Sequence, residues 1–446
     1  MKVLWLCNIM IPAIAEELDL AFSNREGWLS GLYGQFLADD STDFELAICF
    51  PYSSREMLQA IKAKVTSNET KKVFKFNCGR TVCYSFRENL LTPEKYDIEL
   101  EEQMTEILDD FSPAVIHIFG SEYPHSLALT NVCKEKKRIL LSIQGLCGKI
   151  AKCYTEGIPR DVINSETFRD VVKNDSITQQ QQKFAKRGQH EQLLFTLIKN
   201  VAGRTQFDYE AAKELNANIT YYQHNESMRE SFYHGRWSSK DCKPYSIFLS
   251  QGDYPIKGLH YMLEALPRLS LQYPDAHVYV AGNNIIGDVD FDSITSLKTK
   301  VKISSYGKYL KSLIFSHHLE ESITMLGPLD EAQMKEQLLK SSVFVCPSIT
   351  ENSPNSLCEA MLLGMPVVAA ATGGIPSLIN DSKDGLLYEP GNVRDLSAAI
   401  EIAWDLETGE EIAKAAAIRA KKTHNRIINY MRLREIYKEI LKSVSG

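Results

Sequence analysis

FVCPSITENSPNSLCEAMLLGMPVVAAATGGIPSLINDSKDGLLYEP, residues 344–390, is the stretch on which the reading of the whole chain turns. Phe344, Val345 and Cys346 form a short apolar run stopped by Pro347 and Ser348, so a loop begins where a buried parallel strand should end. Ser353 and Pro354 mark a helix start, and Leu357, Met361 and Leu362 give that helix an apolar stripe. The N–H groups of Asn355, Ser356 and Leu357 would be unpaired donors at the helix start, a seat for phosphate oxygens. Two carboxylates stand beside that seat, Glu351 in the loop and Glu359 near the first helical turn. Carboxylates next to a phosphate site are costly unless they bind something else, and sugar or ribose hydroxyls are the natural partners. The pattern is that of a nucleotide-sugar site.

Outward from this stretch, apolar strand-like runs alternate with helical patterns, the mark of α/β architecture. In the first half the runs fall at 3–7, 44–50, 73–76, 115–118, 139–143 and 200–202, with helical patterns at 28–38, 96–111 and 126–136. Residues 160–195 are polar and helical in composition, and Phe168, Phe184, Leu193, Leu194 and Phe195 suggest helices packed on a domain edge. The pattern resets at SSKDCKP, residues 238–244, and a second series follows at 247–250, 258–273, 277–281, 323–325, 343–346 and 367–370. Residues 423–444 form a long amphipathic pattern. The expected division is therefore 1–240, 241–420 and a terminal helix at 421–446. Two Rossmann-like halves would place ligands at the carboxyl ends of their strands, and every motif used below follows a predicted strand.

Composition narrows the function classes. A chain of 446 residues is too long for one compact domain, and its net charge of −7 argues against nucleic acid as a partner. The ten cysteines contain no C-x-x-C pair and several sit in apolar runs, which suits buried thiols in a reducing compartment and not a zinc site. No apolar run reaches the roughly 18–20 residues of a membrane span. Lys2, the following apolar run and Ala13-Ile14-Ala15 mimic a signal peptide, but Asn8 and Pro12 interrupt it and favour a first sheet strand.

The order Glu351-x7-Glu359, then Ala360, Met361, Gly364, Pro366, Val367, Val368, Ala369, Gly373 and Gly374, resembles the donor-binding signature of retaining glycosyltransferases of the two-Rossmann-domain group, often called family 4. The resemblance implies a GT-B fold, with two Rossmann-like domains facing a central cleft and a C-terminal helix crossing back to the first. It implies transfer of a sugar from a nucleotide diphosphate sugar to a glycan or lipid-linked acceptor, without metal or other cofactor and without nucleic acid as partner. The setting it implies is surface polysaccharide synthesis in the cytoplasm, with peripheral contact at the inner face of the cytoplasmic membrane. A nucleotide-sugar 2-epimerase shares this architecture, and a degenerate sugar-nucleotide-binding protein is the non-enzymatic alternative.

Residue by residue, Glu359 matches the carboxylate that holds the ribose hydroxyls and Glu351 the one that contacts the transferred sugar. Lys257, beside a helix start after the first strand of the second series, would neutralise a diphosphate; the family's usual arginine six residues earlier is Gln251 here. An amide carries no charge, so another cation would have to assist, with Arg204 and Arg229 as candidates. Gly282 and Gly327 match turns that line the donor site. In the first half, Gly27 resembles a glycine-rich loop near acceptor and diphosphate, while Gln144 and Gly145 follow a strand and face the expected cleft. The family's H-x-H is His117-Ile118-Phe119 in this chain, so Glu122 and His125, read as loop residues, become the candidates for the missing polar contact.

Overall fold

The apolar runs after Met1 and after Lys243 each seed a sheet. The computed structural model describes residues 1–20, 27–40, 43–65, 72–287 and 303–445. The chain divides into two compact units, one of Met1–Lys149, Lys183–Met228 and His424–Gly446, the other of Ile150–Gln182 and Arg229–Thr423. Both are α/β, as the alternating pattern predicts.

The first unit holds an eight-stranded sheet in the order β3-β4-β2-β1-β5-β6-β7-β8. Its strands are β1 Lys2–Leu6, β2 Glu45–Tyr52, β3 Val73–Cys78, β4 Thr81–Arg87, β5 Val115–Phe119, β6 Ile139–Ser142, β7 Asn200–Gly203 and β8 Thr220–Gln223. All neighbours run parallel except β3 and β4, a hairpin closed at Cys78↔Thr81. The sequence pattern finds β3 but not β4, whose serine and threonine break its apolar run. β5 and β6 are buried along their whole length, as strands covered on both faces must be. Strand order reverses at β1, between β2 and β5, so the ends of β1 and β5 flank the switch point where such sheets collect ligands.

The terminal helix Arg426–Ser445 belongs to this first unit, and its anchor is polar as well as apolar. Tyr437 is 1% exposed; its hydroxyl accepts from Trp5 Nε1 at 2.9 Å and lies 2.7 Å from Nδ1 of His117. The other ring nitrogen of His117 meets Ser142 Oγ at 2.7 Å. Just before the helix, His424 Nδ1 lies 2.9 Å from the Glu226 carbonyl oxygen, while His224 Nε2 lies 3.2 Å from the carbonyl oxygen of Asn429.

Burial holds His224 and His424 neutral, pushing each down to about 4. The unfolded chain would protonate both near pH 6.5, so between about pH 6.5 and 4 it binds more protons than the fold. Stability from these two rings is complete above that window and is lost as pH falls through it, by up to about 3 kcal/mol apiece. Thermal unfolding followed from pH 7 to 4.5 should show Tm falling, and His224→Gln with His424→Gln should flatten that limb. An acid limb of unchanged slope in the double variant would show that other groups drive it.

The second unit holds a six-stranded parallel sheet in the order β11-β10-β9-β12-β13-β14. Its strands are β9 Lys243–Leu249, β10 His277–Ala281, β11 Ile323–Gly327, β12 Ser341–Cys346, β13 Val367–Ala370 and β14 Leu386–Tyr388. The switch point lies between β9 and β12.

The division differs from the expected 1–240, 241–420 and 421–446 at each boundary. Ile150–Gln182 joins the second unit because a capping-box carboxylate secures it. Asp170 Oδ2 accepts from Thr167 N at 3.2 Å and from Ser305 N at 2.8 Å, and the residue is fully buried. Gly157 adds a close approach, since a Cβ there would stand 1.9 Å from Tyr261 Oη. The stretch from Arg229 also belongs to the second unit, tied by Trp237 N to Leu363 O and Trp237 Nε1 to Ser341 O, both 2.8 Å. Composition resets at 238–244, but packing changes hands ten residues earlier.

Candidate functional site

In the second unit the chain leaves β9 at Leu249, runs through Ser250 and Gln251, and makes a 3-10 turn at Pro255–Lys257 before the helix Leu259–Gln272. Gly258 links turn and helix with φ +70°, and a Cβ there would lie 1.9 Å from the Pro347 carbonyl oxygen. Only glycine lets the β9 loop press on the β12 loop this way. The backbone bond from Ile349 N to Ile256 O, 2.8 Å, fixes the same approach. The loops after the two strands that flank the switch point are thus fastened side by side.

That fastening brings Lys257 onto Glu351, Nζ to Oε1 at 2.6 Å, and Ser348 Oγ donates to the same oxygen at 2.8 Å. Among the described residues nothing donates to Oε2. The pair is partly open, with side-chain exposures of 23% for Lys257 and 14% for Glu351. Burial draws the Lys257 ammonium down, the Glu351 charge outweighs it, and the net effect is a pKa above the usual lysine value. The lysine therefore carries a full charge at neutral pH. The turn after β13 holds the Glu351 backbone, with Gly374 N donating to Glu351 O at 2.8 Å. Gly373, at φ +53°, would place a Cβ 2.0 Å from that oxygen, which accounts for the glycine at 373.

The helix expected after Pro354 is Asn355–Leu363, with Pro354 as N-cap and no side chain capping it. Leu357 is a correction to the expected phosphate seat. Its N–H donates to Pro354 O at 3.1 Å, leaving the amides of Asn355 and Ser356 as the open pair. Ser356 Oγ lies 2.8 Å from Ser250 Oγ, and the buried Oδ1 of Asn355 has no hydrogen-bond partner among the described residues.

Glu359 lies in the second helical turn and is 3% exposed. Both its oxygens are held by Arg229, Nε to Oε1 and Nη2 to Oε2 at 2.7 Å each. The Arg229 guanidinium also lies over the Phe232 ring at 4.7 Å. Burial pushes the Glu359 carboxyl above its ordinary range and Arg229 opposes it. The fork geometry, with an arginine that stays protonated, marks Glu359 as the ionised acceptor. Arg229 was a candidate for the leaving diphosphate, and the structure commits it to Glu359. No local sequence signal could pair residues 130 positions apart.

Gln251 packs its Cγ 3.5 Å from where a Gly282 Cβ would stand, and Gly282 N donates to Gly327 O at 3.0 Å. The ends of β9, β10 and β11 are joined there, so Gln251, Gly282 and Gly327 border one surface.

In the first unit the strand ends gather a second polar group. Glu122 sits between Gly120 and Gly145, where added Cβ atoms would stand 2.1 Å from its Oε2 and 2.9 Å from its Oε1. Burial raises this carboxyl above its ordinary range, and the buried Oε2 has no hydrogen-bond partner among the described residues. His125 needs correction, because it is not a loop residue. It lies in the first turn of the helix Pro124–Val132 and is fully buried, with Nδ1 2.6 Å from Glu88 Oε2 and Nε2 3.0 Å from Asn8 Oδ1. Both ring nitrogens are spent on the interior. Phe119, where the family's second histidine would stand, is likewise core, packed edge-on to Trp5 at 5.3 Å.

Arg204 is no spare cation either. It pairs with Glu226 and donates from Nη2 to Ile143 O at 3.2 Å, while Gln144 Nε2 donates to Glu226 Oε1 at 2.9 Å. Burial raises the Glu226 carboxyl and Arg204 opposes it. Gly27 begins the helix Gly27–Ala38, and the rest of its loop, residues 24–26, lies outside the described residues. No local pattern marks Asn8, Glu88 or Glu226, since each gains its meaning only from a partner distant in the chain, His125 for the first two and Arg204 with Gln144 for the third.

Residues 232–424 match the family model of glycosyl transferases group 1. The chain is 31% identical over 141 residues to the amylovoran biosynthesis glycosyltransferase AmsK of Erwinia amylovora, a match covering 29% of this chain and 34% of that protein. It therefore spans about a third of the length of that relative. Over the whole chain it is similar to sucrose-phosphate synthase from Thermosynechococcus elongatus, with TM-score 0.66, 13% identity and coverage of 99% and 100%. It is also similar to Anabaena Alr3699/HepE crystallised with UDP-glucose, with TM-score 0.63, 14% identity and coverage of 98% and 100%. The fold is accordingly GT-B, with two parallel-sheet α/β units. Among the described residues no helix is long and apolar enough to cross a membrane.

Proposed function

We propose that the chain is a retaining, metal-independent glycosyltransferase that moves a sugar from a nucleotide diphosphate sugar to a glycan or lipid-linked acceptor in polysaccharide synthesis. The observation that carries this reading is the Lys257–Glu351 pair, fastened across the β9/β12 switch point beside the uncapped start of the helix Asn355–Leu363. A diphosphate seated on the Asn355 and Ser356 amides draws Lys257 toward its developing charge, and that motion releases Glu351 to accept sugar hydroxyls. Lys257 and two amides carry the leaving charge, with no metal in the role.

In the transfer step the bond from the anomeric carbon to the diphosphate oxygen breaks and a bond to the acceptor oxygen forms on the same face. The departing phosphate takes the acceptor's proton, so no separate base is required. The protein supplies orientation and a fixed field. Similarity to AmsK supports the polysaccharide setting, and the fold shared with a protein crystallised with UDP-glucose supports a nucleotide-sugar donor.

Incubation with a panel of nucleotide diphosphate sugars tests the reading, with products followed by NMR. Slow hydrolysis of one donor with its anomeric configuration kept is the expected result. Release of an epimerised sugar nucleotide would make the chain a 2-epimerase, and tight binding without turnover would make it a degenerate sugar-nucleotide-binding protein.

A further inference from the structure

A cavity of about 430 Å³ lies in the second unit, where the docked segment Ile150–Gln182 meets the loops after β9 and β10. Asp253 and Tyr254 line it from the first loop, Asn283 from the second, and Tyr154 and Gln180 from the segment. Its walls are pinned to one another. The bond from Ser305 N to Asp170 Oδ2 fastens the segment, and Asn283 Nδ2 donates to Asp253 Oδ2 at 2.7 Å, closing one loop on the other. The volume falls at the lower end of the roughly 300–1,000 Å³ of small-molecule sites, room for a sugar ring or two.

The charges around this cavity nearly cancel. Arg169 is spent on Asp170 Oδ1 at 3.2 Å and on Asp175 Oδ2 at 2.9 Å. Lys173 is exposed and makes no ion pair among the described residues, and the Asp253 carboxylate lines the same cavity without a salt bridge of its own. A phosphate would find one cation and a carboxylate against it, not a cluster of charged donors. Tyr154 and Tyr306 are 1% and 3% exposed, so neither offers a face on which a nucleobase could stack.

What the cavity does present is hydrogen-bonding capacity that the protein leaves unused. The Tyr254 hydroxyl and the Gln180 amide make no hydrogen bond among the described residues, and the buried Oδ1 of Asp253 has no hydrogen-bond partner there either. A buried carboxylate oxygen left unmatched is costly, and one at the wall of a polar cavity is open to repayment by a ligand. A carboxylate accepts, while a phenol and an amide both donate and accept. A neutral ligand carrying several hydroxyls, each a donor and an acceptor, answers that mixture.

We propose that this cavity is a saccharide-binding site, taking a neutral sugar unit, free or within a glycan, on Asp253, Tyr254 and Gln180. The family resemblance puts acceptor contacts at Gly27, Gln144 and Gly145 in the first unit, so this site is additional to them. Sugar binding is read without donor or turnover, so its failure leaves the transfer reading untouched.

The test is saturation-transfer NMR on the full chain, without donor, against a panel of neutral hexoses and their disaccharides. Inorganic phosphate and uridine are the competitors. At least one sugar should bind, Tyr254→Phe and Gln180→Ala should each weaken it several-fold, and the two together on the order of thirtyfold. Both variants should keep the wild-type melting curve, and Lys173→Gln should bind the sugar as wild type does. A disaccharide that binds more tightly than its monosaccharide assigns the site to a glycan, and equal binding assigns it to a free sugar. Absence of binding across the panel would overturn the proposal, as would wild-type affinity in Tyr254→Phe/Gln180→Ala. Displacement of the sugar by phosphate would mark an anion site instead, and displacement by uridine would make the cavity part of the nucleotide site.

Discussion

Glu359→Ala should destabilise the second unit by about 3–5 kcal/mol, because it strands a buried guanidinium. Sequence alone suggests the opposite, a variant that loses donor binding while leaving the fold intact. The geometry of Arg229 changes that expectation. Its two parallel bonds to Glu359, 2.7 Å each, are made where neither side chain reaches water freely, with side-chain exposures of 9% and 3%. Loss of the carboxylate leaves the arginine without a counter-charge, and arginine cannot escape by deprotonating. A drop in donor affinity in Glu359→Ala would therefore say nothing about ribose recognition by itself.

The pair variant Arg229→Met/Glu359→Leu separates the two roles. Replacing both partners of a buried ion pair by apolar groups of similar size is often neutral or stabilising, so the denaturation midpoint should return close to wild type. If Glu359 also holds the nucleotide, donor affinity stays low in this well-folded double variant. Chemical denaturation and calorimetric titration with the preferred donor are the two measurements. A single variant with wild-type midpoint would refute the buried-pair account, and a double variant with full donor affinity would remove Glu359 from the binding site.

The sequence was most readable where local pattern and tertiary position coincide. β10 and β13 lie at 277–281 and 367–370, as their apolar runs indicate, and β13, a fully covered parallel strand, writes its burial into consecutive residues. The loop–helix at 348–363 was readable for the same reason, because proline, serine and glycine punctuate it. What escaped reading depends on partners far apart in the chain. The Arg229–Glu359 pair, the His125–Glu88 contact and the Asp170–Ser305 staple span 130, 37 and 135 positions, and no periodicity encodes them. Residues 150–182 went to the wrong unit because composition reports helix, not the surface on which the helix docks. Phe119 was read as a departure within a site, whereas packing makes it a core ring beside Trp5.

Lys257→Gln should lower kcat for the preferred donor by on the order of 10²–10³-fold while the unit stays folded. The asymmetry with Glu359 comes from exposure. Glu351 keeps Ser348 Oγ at 2.8 Å when the lysine is gone, and partial access to water screens the remaining charge. The stability cost should be near that of a partly exposed pair, about 1 kcal/mol or a few degrees in Tm. The kinetic cost is larger because the cation opposes charge that grows as the diphosphate departs, and Gln251 supplies no second one. The loss should accordingly fall on kcat more than on KM. Gln251→Arg provides the complement. Added to Lys257→Gln, it should restore part of the lost rate, because its place beside Gly282 puts a guanidinium at the same strand ends. In the wild-type background it should leave the rate unchanged or raise it. Wild-type kcat in Lys257→Gln would remove the lysine from the leaving-group site. Failure of the arginine to restore any rate would show that the second cation of this fold cannot act from position 251.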